Sequence, residues 1–196
     1  MKPLILASTS PYRAELLHKL GIPFQCVKPD FDEDAKKDDL LKKQATPLEI
    51  AEALSRGKAR SILRDDAVVV AGDQLVDFNS EILGKSYEFK KAKLQLQAMR
   101  GTKHTLITAV TIKTSDGEHH LNHLTTLTMR NLSDIEIENY LNKDEPYDCA
   151  GSYKIEKSGL LLFSQIETDD FSAIQGLPLM WIAEKLKELG YEFFTN

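Results

Sequence analysis

The sequence predicts a mixed α/β fold, one sheet flanked by helices, with two lobes and a central cleft. Three observations carry this reading. Strand-like and helix-like segments alternate, Ala67-Val68-Val69-Val70-Ala71 is an apolar run suited to a strand buried on both faces, and two β-rich runs near the middle are joined by a short turn.

Leu4-Ile5-Leu6-Ala7 reads as a strand that runs straight into Ser8-Thr9-Ser10-Pro11-Tyr12-Arg13. Ser10 is a good N-cap and Pro11 suits the first helical position. Leu16, Leu17 and Leu20 then mark an apolar face that Gly21 ends. Phe24-Gln25-Cys26-Val27 reads as a second strand, and the polar stretch from Pro29 to Gln44 as a solvated loop in which Glu33 is a candidate functional group. Thr46-Pro47-Leu48-Glu49 is a capping box opening a helix through about Leu63, with Lys58 near its middle. The apolar run that follows stops at Gly72-Asp73-Gln74, which places a carboxylate at a strand end.

Helix signals return from about Tyr87 to Met99, after Gly84-Lys85. Thr105 to Thr114 and His119 to Met129, separated by Ser115-Asp116-Gly117-Glu118, read as a hairpin and as a surface suited to homodimer contacts. Ser133-Asp134-Ile135-Glu136 is a second capping box, for a helix to about Asn142, and Leu160 to Phe163 reads as a short strand. After Gly176-Leu177-Pro178, the residues Leu179, Ile182, Leu186 and Leu189 recur at helical spacing until Gly190.

With 196 residues, 42% of them hydrophobic, the chain suffices for one substantial core. A net charge of −5 and a pI near 5.6 argue against polymeric nucleic acid or an anionic membrane as partner and favour a small-molecule substrate. No stretch is long enough to span a bilayer and the start reads as a strand rather than an export signal, so a cytoplasmic location is expected. Cys26 and Cys149 form neither a disulfide framework nor a zinc motif, and both read as small buried residues.

The junction from Ser8 to Arg13 has the chemistry of an anion site. Backbone N–H groups at a helix start carry partial positive charge, and Arg13 adds a forked donor. Asp73 reads as a metal ligand, a water-orienting group or simply a cap, and Lys58 and Lys85 read as cleft bases or solvated surface lysines. Asp169-Asp170 fits either a metal pair or solvated acids, whereas the spacing of His119, His120 and His123 sends neighbours to opposite faces. P-loop, dinucleotide and nucleophile-elbow motifs are all missing, which leaves metal-activated water as the expected route for hydrolysis.

Taken together, Leu4 to Arg13, Gly72-Asp73-Gln74, Gly84-Lys85, Gly151-Ser152-Tyr153-Lys154-Ile155-Glu156 and Gly176-Leu177-Pro178-Leu179 resemble the Maf family of nucleotide pyrophosphatases, in family order over nearly the whole chain. The resemblance implies a single Maf-like domain over residues 1–196 with the fold of the Maf and ITPase-like proteins. It also implies house-cleaning hydrolysis of a nucleoside triphosphate between its α and β phosphates, assisted by a divalent cation (Mg, Mn or Co). On this basis Ser8, Ser10 and Arg13 match the phosphate-binding start, Lys58 and Lys85 the cleft lysines, and Asp73 the catalytic proton acceptor. Glu33 matches the acidic loop position and joins Asp73 as a metal ligand. A carboxylate is a weak base, so Asp73 is expected to act together with metal-bound water.

Three positions bear on the substrate. Relatives that hydrolyse thymidine and uridine triphosphates carry arginine, threonine and glutamine where this chain has Tyr12, Gln74 and Glu156. The pattern is instead similar to the subgroup acting on 7-methyl-GTP, although tyrosine replaces that subgroup's usual tryptophan. Methylation at N7 makes the guanine ring cationic, so an aromatic face stacked on it contributes about 0.5 to 2 kcal/mol. Glu156 suits the guanine N1–H and exocyclic amine as an acceptor. Two other readings share these residues: a pyrophosphatase for other nucleotides, and a noncatalytic nucleotide-binding regulator of cell division. The presence of Asp73, Lys85 and Arg13 speaks against the second.

Overall fold

The structure is a computed structural model, described here for residues 2–194. Strand β1 (Leu4–Ala7) leads into helix α1 (Pro11–His18), and β2 (Phe24–Val27) is followed by α2 (Glu33–Lys42) and α3 (Pro47–Arg60). Next come β3 (Val68–Phe78), β4 (Glu81–Leu83), α4 (Phe89–Met99), β5 (Lys103–Thr114) and β6 (Gly117–Met129). The chain closes with α5 (Asp134–Asp144), a 3-10 turn (Ser158–Leu162), β7 (Phe163–Glu167), α6 (Phe171–Ile174) and α7 (Leu179–Glu188). The strands pair in the order β2-β1-β3-β5-β6-β7, with β4 added to β3. β1 is parallel to β2 and β3, while β3–β4 and β6–β7 are antiparallel, so the mixed α/β class expected from sequence is observed.

The chain divides into two compact units. Among the described residues, 2–73, 108–123 and 170–194 form the first; Gln74–Ile107 and Leu124–Asp169 form the second. In the first unit, Leu4, Leu6, Val68 and Val70 pack with Leu16, Leu17, Ile182 and Leu186. Ile5, Ala7, Val69 and Ala71 pack instead with Ala59 and Ile62. Alternate residues of β1 and of the first part of β3 thus face α1 and α7 on one side and α3 on the other, which is why Leu4 to Ala7 and Val68 to Ala71 read as unbroken apolar runs.

In the second unit α4 packs on α5, with Leu96, Met99, Ile137 and Leu141 fully buried. His104, Tyr153 and Phe163 form an aromatic cluster with ring centroids 5.0 to 5.8 Å apart. His104 Nε2 is 3.2 Å from the Tyr153 hydroxyl, its Nδ1 has no hydrogen-bond partner among the described residues, and burial pushes the ring's pKa down to about 4.

Several local expectations change. The stretch read as a solvated loop contains α2: Asp32 caps it by accepting from Ala35 N at 2.9 Å, and Glu33 and Asp34 suit its positive end. None of its residues is buried, so no apolar period advertises it. β3 continues through Gly72-Asp73-Gln74 because Val76, Asp77 and Phe78 pair with β4, which puts Asp73 inside a strand rather than at its end. The apolar run from Leu160 to Phe163 is mostly a 3-10 turn, and pairing with β6 begins only at Phe163. Cys26 is exposed and Cys149 half-buried, not core residues; Cys26 lies on β2, which ends the strand order and, among the described residues, pairs with β1 alone. Among the described residues, no helix is long and apolar enough to cross a membrane.

Candidate active site

β1 is buried throughout and delivers Ser8 to the turn before α1. Ser8 N donates to Leu6 O at 2.9 Å, and Ser8 Oγ accepts from Ser10 N at 3.1 Å. Ser10 caps α1 through an acceptor bond from Arg13 N at 3.4 Å, with Pro11 in the first turn as the sequence predicts. The two serines therefore shape the junction, and Tyr12 and Arg13 stand half-buried on its first turn.

Arg13 Nε donates to Gly176 O at 3.2 Å. Two glycines leave room for that side chain: a Cβ at Gly72 would lie 3.3 Å from Arg13 Nε and 3.1 Å from Leu177 Cδ2, and one at Gly176, where φ is +120°, would lie 3.4 Å from Arg13 Cγ. Burial lowers the guanidinium pKa, while the charges of Asp73 and Glu33 oppose that shift. Arginine remains a cation under such pressure.

The centre of the first unit's site is Lys58. It lies on the buried face of α3, whose start is fixed by the predicted Thr46/Glu49 capping box. One turn earlier, Ser55 Oγ donates to Ala71 O at 3.3 Å and lies 2.9 Å from Thr111 Oγ1, tying the helix to β3 and β5. Lys58 is only 5% exposed; its Nζ donates to Asp73 Oδ1 at 2.8 Å and lies 2.8 Å from Glu33 Oε2. Asp73 is buried and the Glu33 side chain half-exposed, so two carboxylates from separate elements bracket one buried ammonium. The surface-lysine alternative for Lys58 is thereby removed.

Gln74, Lys85 and Glu156 belong to the second unit. Gln74 is half-buried; Lys85 is exposed and its backbone bridges to Ala150. Gln95, which the sequence reading missed, donates from Nε2 to Gly84 O at 3.0 Å and accepts at Oε1 from Ser152 Oγ at 2.6 Å. A buried amide thus ties the residue before Lys85 to the segment leading to Glu156. The available signal was a polar residue among Ala92, Leu96 and Met99 on the inner face of α4. Glu156 is exposed, whereas Lys154 is buried: its Nζ lies 2.9 Å from Asp148 Oδ1 and donates to Glu145 O at 3.2 Å. Gly159 N and Lys157 N both donate to Lys154 O, so the turn carrying Glu156 is held from within.

Asp170, one of the paired acids considered for metal, is a structural cap. Its Oδ1 accepts from Ser172 N at 2.9 Å and its Oδ2 from Met180 N at 2.8 Å, which organises α6 and the first turn of α7. His120 is likewise committed, 2.8 Å from Thr111 Oγ1 and 3.0 Å from Asn122 Oδ1. Among the described residues no group of three or more His, Cys, Asp or Glu could hold an ion. The Glu33 and Asp73 pair nevertheless fits a cation such as Mg, which binds through one or two carboxylates and completes its shell with water and substrate phosphates.

The fold is that of a mixed α/β protein whose strand-to-helix junction, glycine-flanked arginine and buried acid–ammonium pair lie in one compact unit, and the sequence supplies its family. Residues 3–189 match the family described as Maf-like protein, and the chain belongs to it. It is 45% identical over 186 residues to the 7-methyl-GTP pyrophosphatase of Bdellovibrio bacteriovorus, covering 95% of this chain and 96% of that protein. Proteins of the same name from Polaromonas sp. and Colwellia psychrerythraea are 41% and 36% identical; each match covers 100% of this chain, with 88% and 97% of the relatives. Among solved structures, the Staphylococcus aureus Ham1 protein aligns with a TM-score of 0.49 at 10% identity, over 96% of this chain and 100% of that one.

Proposed function

We propose that this chain hydrolyses 7-methyl-GTP to 7-methyl-GMP and pyrophosphate. The observation that carries the reading is the buried Lys58–Asp73 pair, bracketed by Glu33, in a chain 45% identical over nearly its full length to a protein of that name. Water attacks the α-phosphorus, the bond to the oxygen bridging the α and β phosphates breaks, and pyrophosphate leaves. Asp73 takes the proton of the attacking water, and Lys58 holds that carboxylate in place at 2.8 Å.

The Ser8 to Arg13 junction and Lys85 bind the phosphates and offset the charge that develops on them. A divalent cation (Mg, Mn or Co), held by Glu33 and Asp73, supplies further charge neutralisation when bound. Tyr12, Gln74 and Glu156 read the base: the tyrosine stacks on the cationic ring and the glutamate accepts from its N–H groups. We further propose that residues 1–196 act as one functional domain in the cytoplasm, as a homodimer, on free nucleotide rather than nucleic acid.

A substrate panel tests this. Pyrophosphate release from 7-methyl-GTP should exceed that from GTP, TTP and UTP with Mg, Mn or Co present, and Tyr12→Arg should selectively reduce the methylated substrate's turnover. Faster hydrolysis of TTP by the unaltered chain overturns the assignment.

A further inference from the structure

Gly57 sits in the interior of α3, where glycine is a poor helix former, so its presence calls for a reason. The Phe31 ring lies directly over it. A Cβ added at Gly57 would overlap Phe31 Cε2 and Cζ and stand 3.0 Å from Cε1. The next residue of the helix is Lys58, and two residues beyond Phe31 is Glu33, whose Oε2 is 2.8 Å from Lys58 Nζ. Consecutive helix positions therefore receive the ring and the carboxylate of one short segment.

The helix that this segment opens rests on α3 without burying a residue. Glu33 opens α2, a helix with no buried residue, and its own side chain is half-exposed. Phe31 and Gly57 line a groove of about 570 Å³ together with Arg56 and Arg60. Both arginines are anchored to Glu118, Arg56 Nη1 to Oε2 at 3.0 Å and Arg60 Nε to Oε1 at 2.7 Å. The two arginines of the groove are thus pinned by ion pairs, whereas Phe31 is seated by shape against Gly57.

We propose that Phe31 and Gly57 form a latch that sets Glu33 against Lys58 and so fixes the Lys58–Asp73 pair. They are positioning residues for the hydrolysis proposed above, on which their effect on turnover rests; their effect on Lys58 does not depend on it. A misplacement of about 1 Å in such a site costs up to about a hundredfold in rate.

Gly57→Ala is the direct test. The variant keeps or raises its Tm, because alanine suits a helix better, while kcat for the proposed substrate falls about tenfold or more with little change in KM. Combining it with Phe31→Val makes room for the new methyl and restores kcat. A second measurement needs no substrate: acetylation of Lys58 by acetic anhydride, read by peptide mass spectrometry against Lys113, speeds up in Gly57→Ala and in Phe31→Ala and returns toward the unaltered rate in the pair. Unchanged kcat together with unchanged Lys58 labelling in Gly57→Ala overturns the latch, as does a loss that the pair fails to restore. If the unaltered chain hydrolyses no nucleotide but Lys58 labelling follows this pattern, the functional reading fails and the latch stands.

Discussion

Lys58 Nζ lies 2.8 Å from Asp73 Oδ1, and the two side chains are 6% and 10% exposed. Desolvation offsets much of the attraction in such a pair, yet removing one partner strands the other in the interior. Glu33 makes the two losses unequal. In Asp73→Asn the ammonium still has Glu33 at 2.8 Å, whereas in Lys58→Met the Asp73 carboxylate loses its lysine donor. Urea unfolding is expected to show a loss of about 3 to 5 kcal/mol for Lys58→Met and a smaller one for Asp73→Asn. Equal losses would contradict the bracketed arrangement.

Arg13→Lys keeps the charge but not the forked donor that reaches Gly176 O. Steady-state kinetics should show kcat/KM reduced about a hundredfold with Tm nearly unchanged. Gly72→Ala should act in the same direction, since its methyl would press on Arg13 Nε and Leu177 Cδ2. Wild-type kinetics in both variants would remove Arg13 from the site.

Asp170→Asn should cost about 1 to 2 kcal/mol, because the amide replaces a carboxylate that accepts from Ser172 N and Met180 N. The concentration of Mg giving half-maximal activity should stay where it is. A clear rise in that concentration would return Asp170 to the list of metal ligands.

His104 makes stability depend on pH. Its folded pKa, about 4, is below the ordinary 6.5, so between those values the unfolded chain binds a proton that the folded chain refuses. Stability from this group is therefore full above pH 6.5 and is lost as pH falls toward 4, at up to about 1.4 kcal/mol per pH unit. His104→Gln does not titrate, so its Tm should drop less between pH 7 and pH 4.5 than that of the unaltered chain. Identical drops in both proteins would place the acid sensitivity elsewhere.

Several features were legible in the sequence because their causes are local. The capping boxes at Thr46 and Ser133 each close over three residues, Ser10 and Pro11 start α1 as read, and the hairpin turns at Ser115-Asp116. Leu4 to Ala7 announced a strand, the apolar run from Ala67 to Ala71 announced one buried on both faces, and family motifs along the chain identified the Maf family. By contrast α2 buries nothing and β4 spans three residues, so neither leaves a period to read.

The site divides in the same way. The sequence by itself determined the strand-to-helix junction at Ser8 to Arg13, the identity of the charged groups and the family they belong to, since these follow from residue type and short spacing. Only the tertiary structure decided that Lys58 is a buried ammonium between Glu33 and Asp73 rather than a solvated lysine, that Asp170 is a cap, and that Gly57 makes room for Phe31. Lys58 and Asp73 are 15 residues apart, on a helix and a strand, and whether such groups meet in the interior depends on which faces pack together. Packing supplies the desolvation and fixed distances that make a lysine and an aspartate one unit, and no residue carries that information alone.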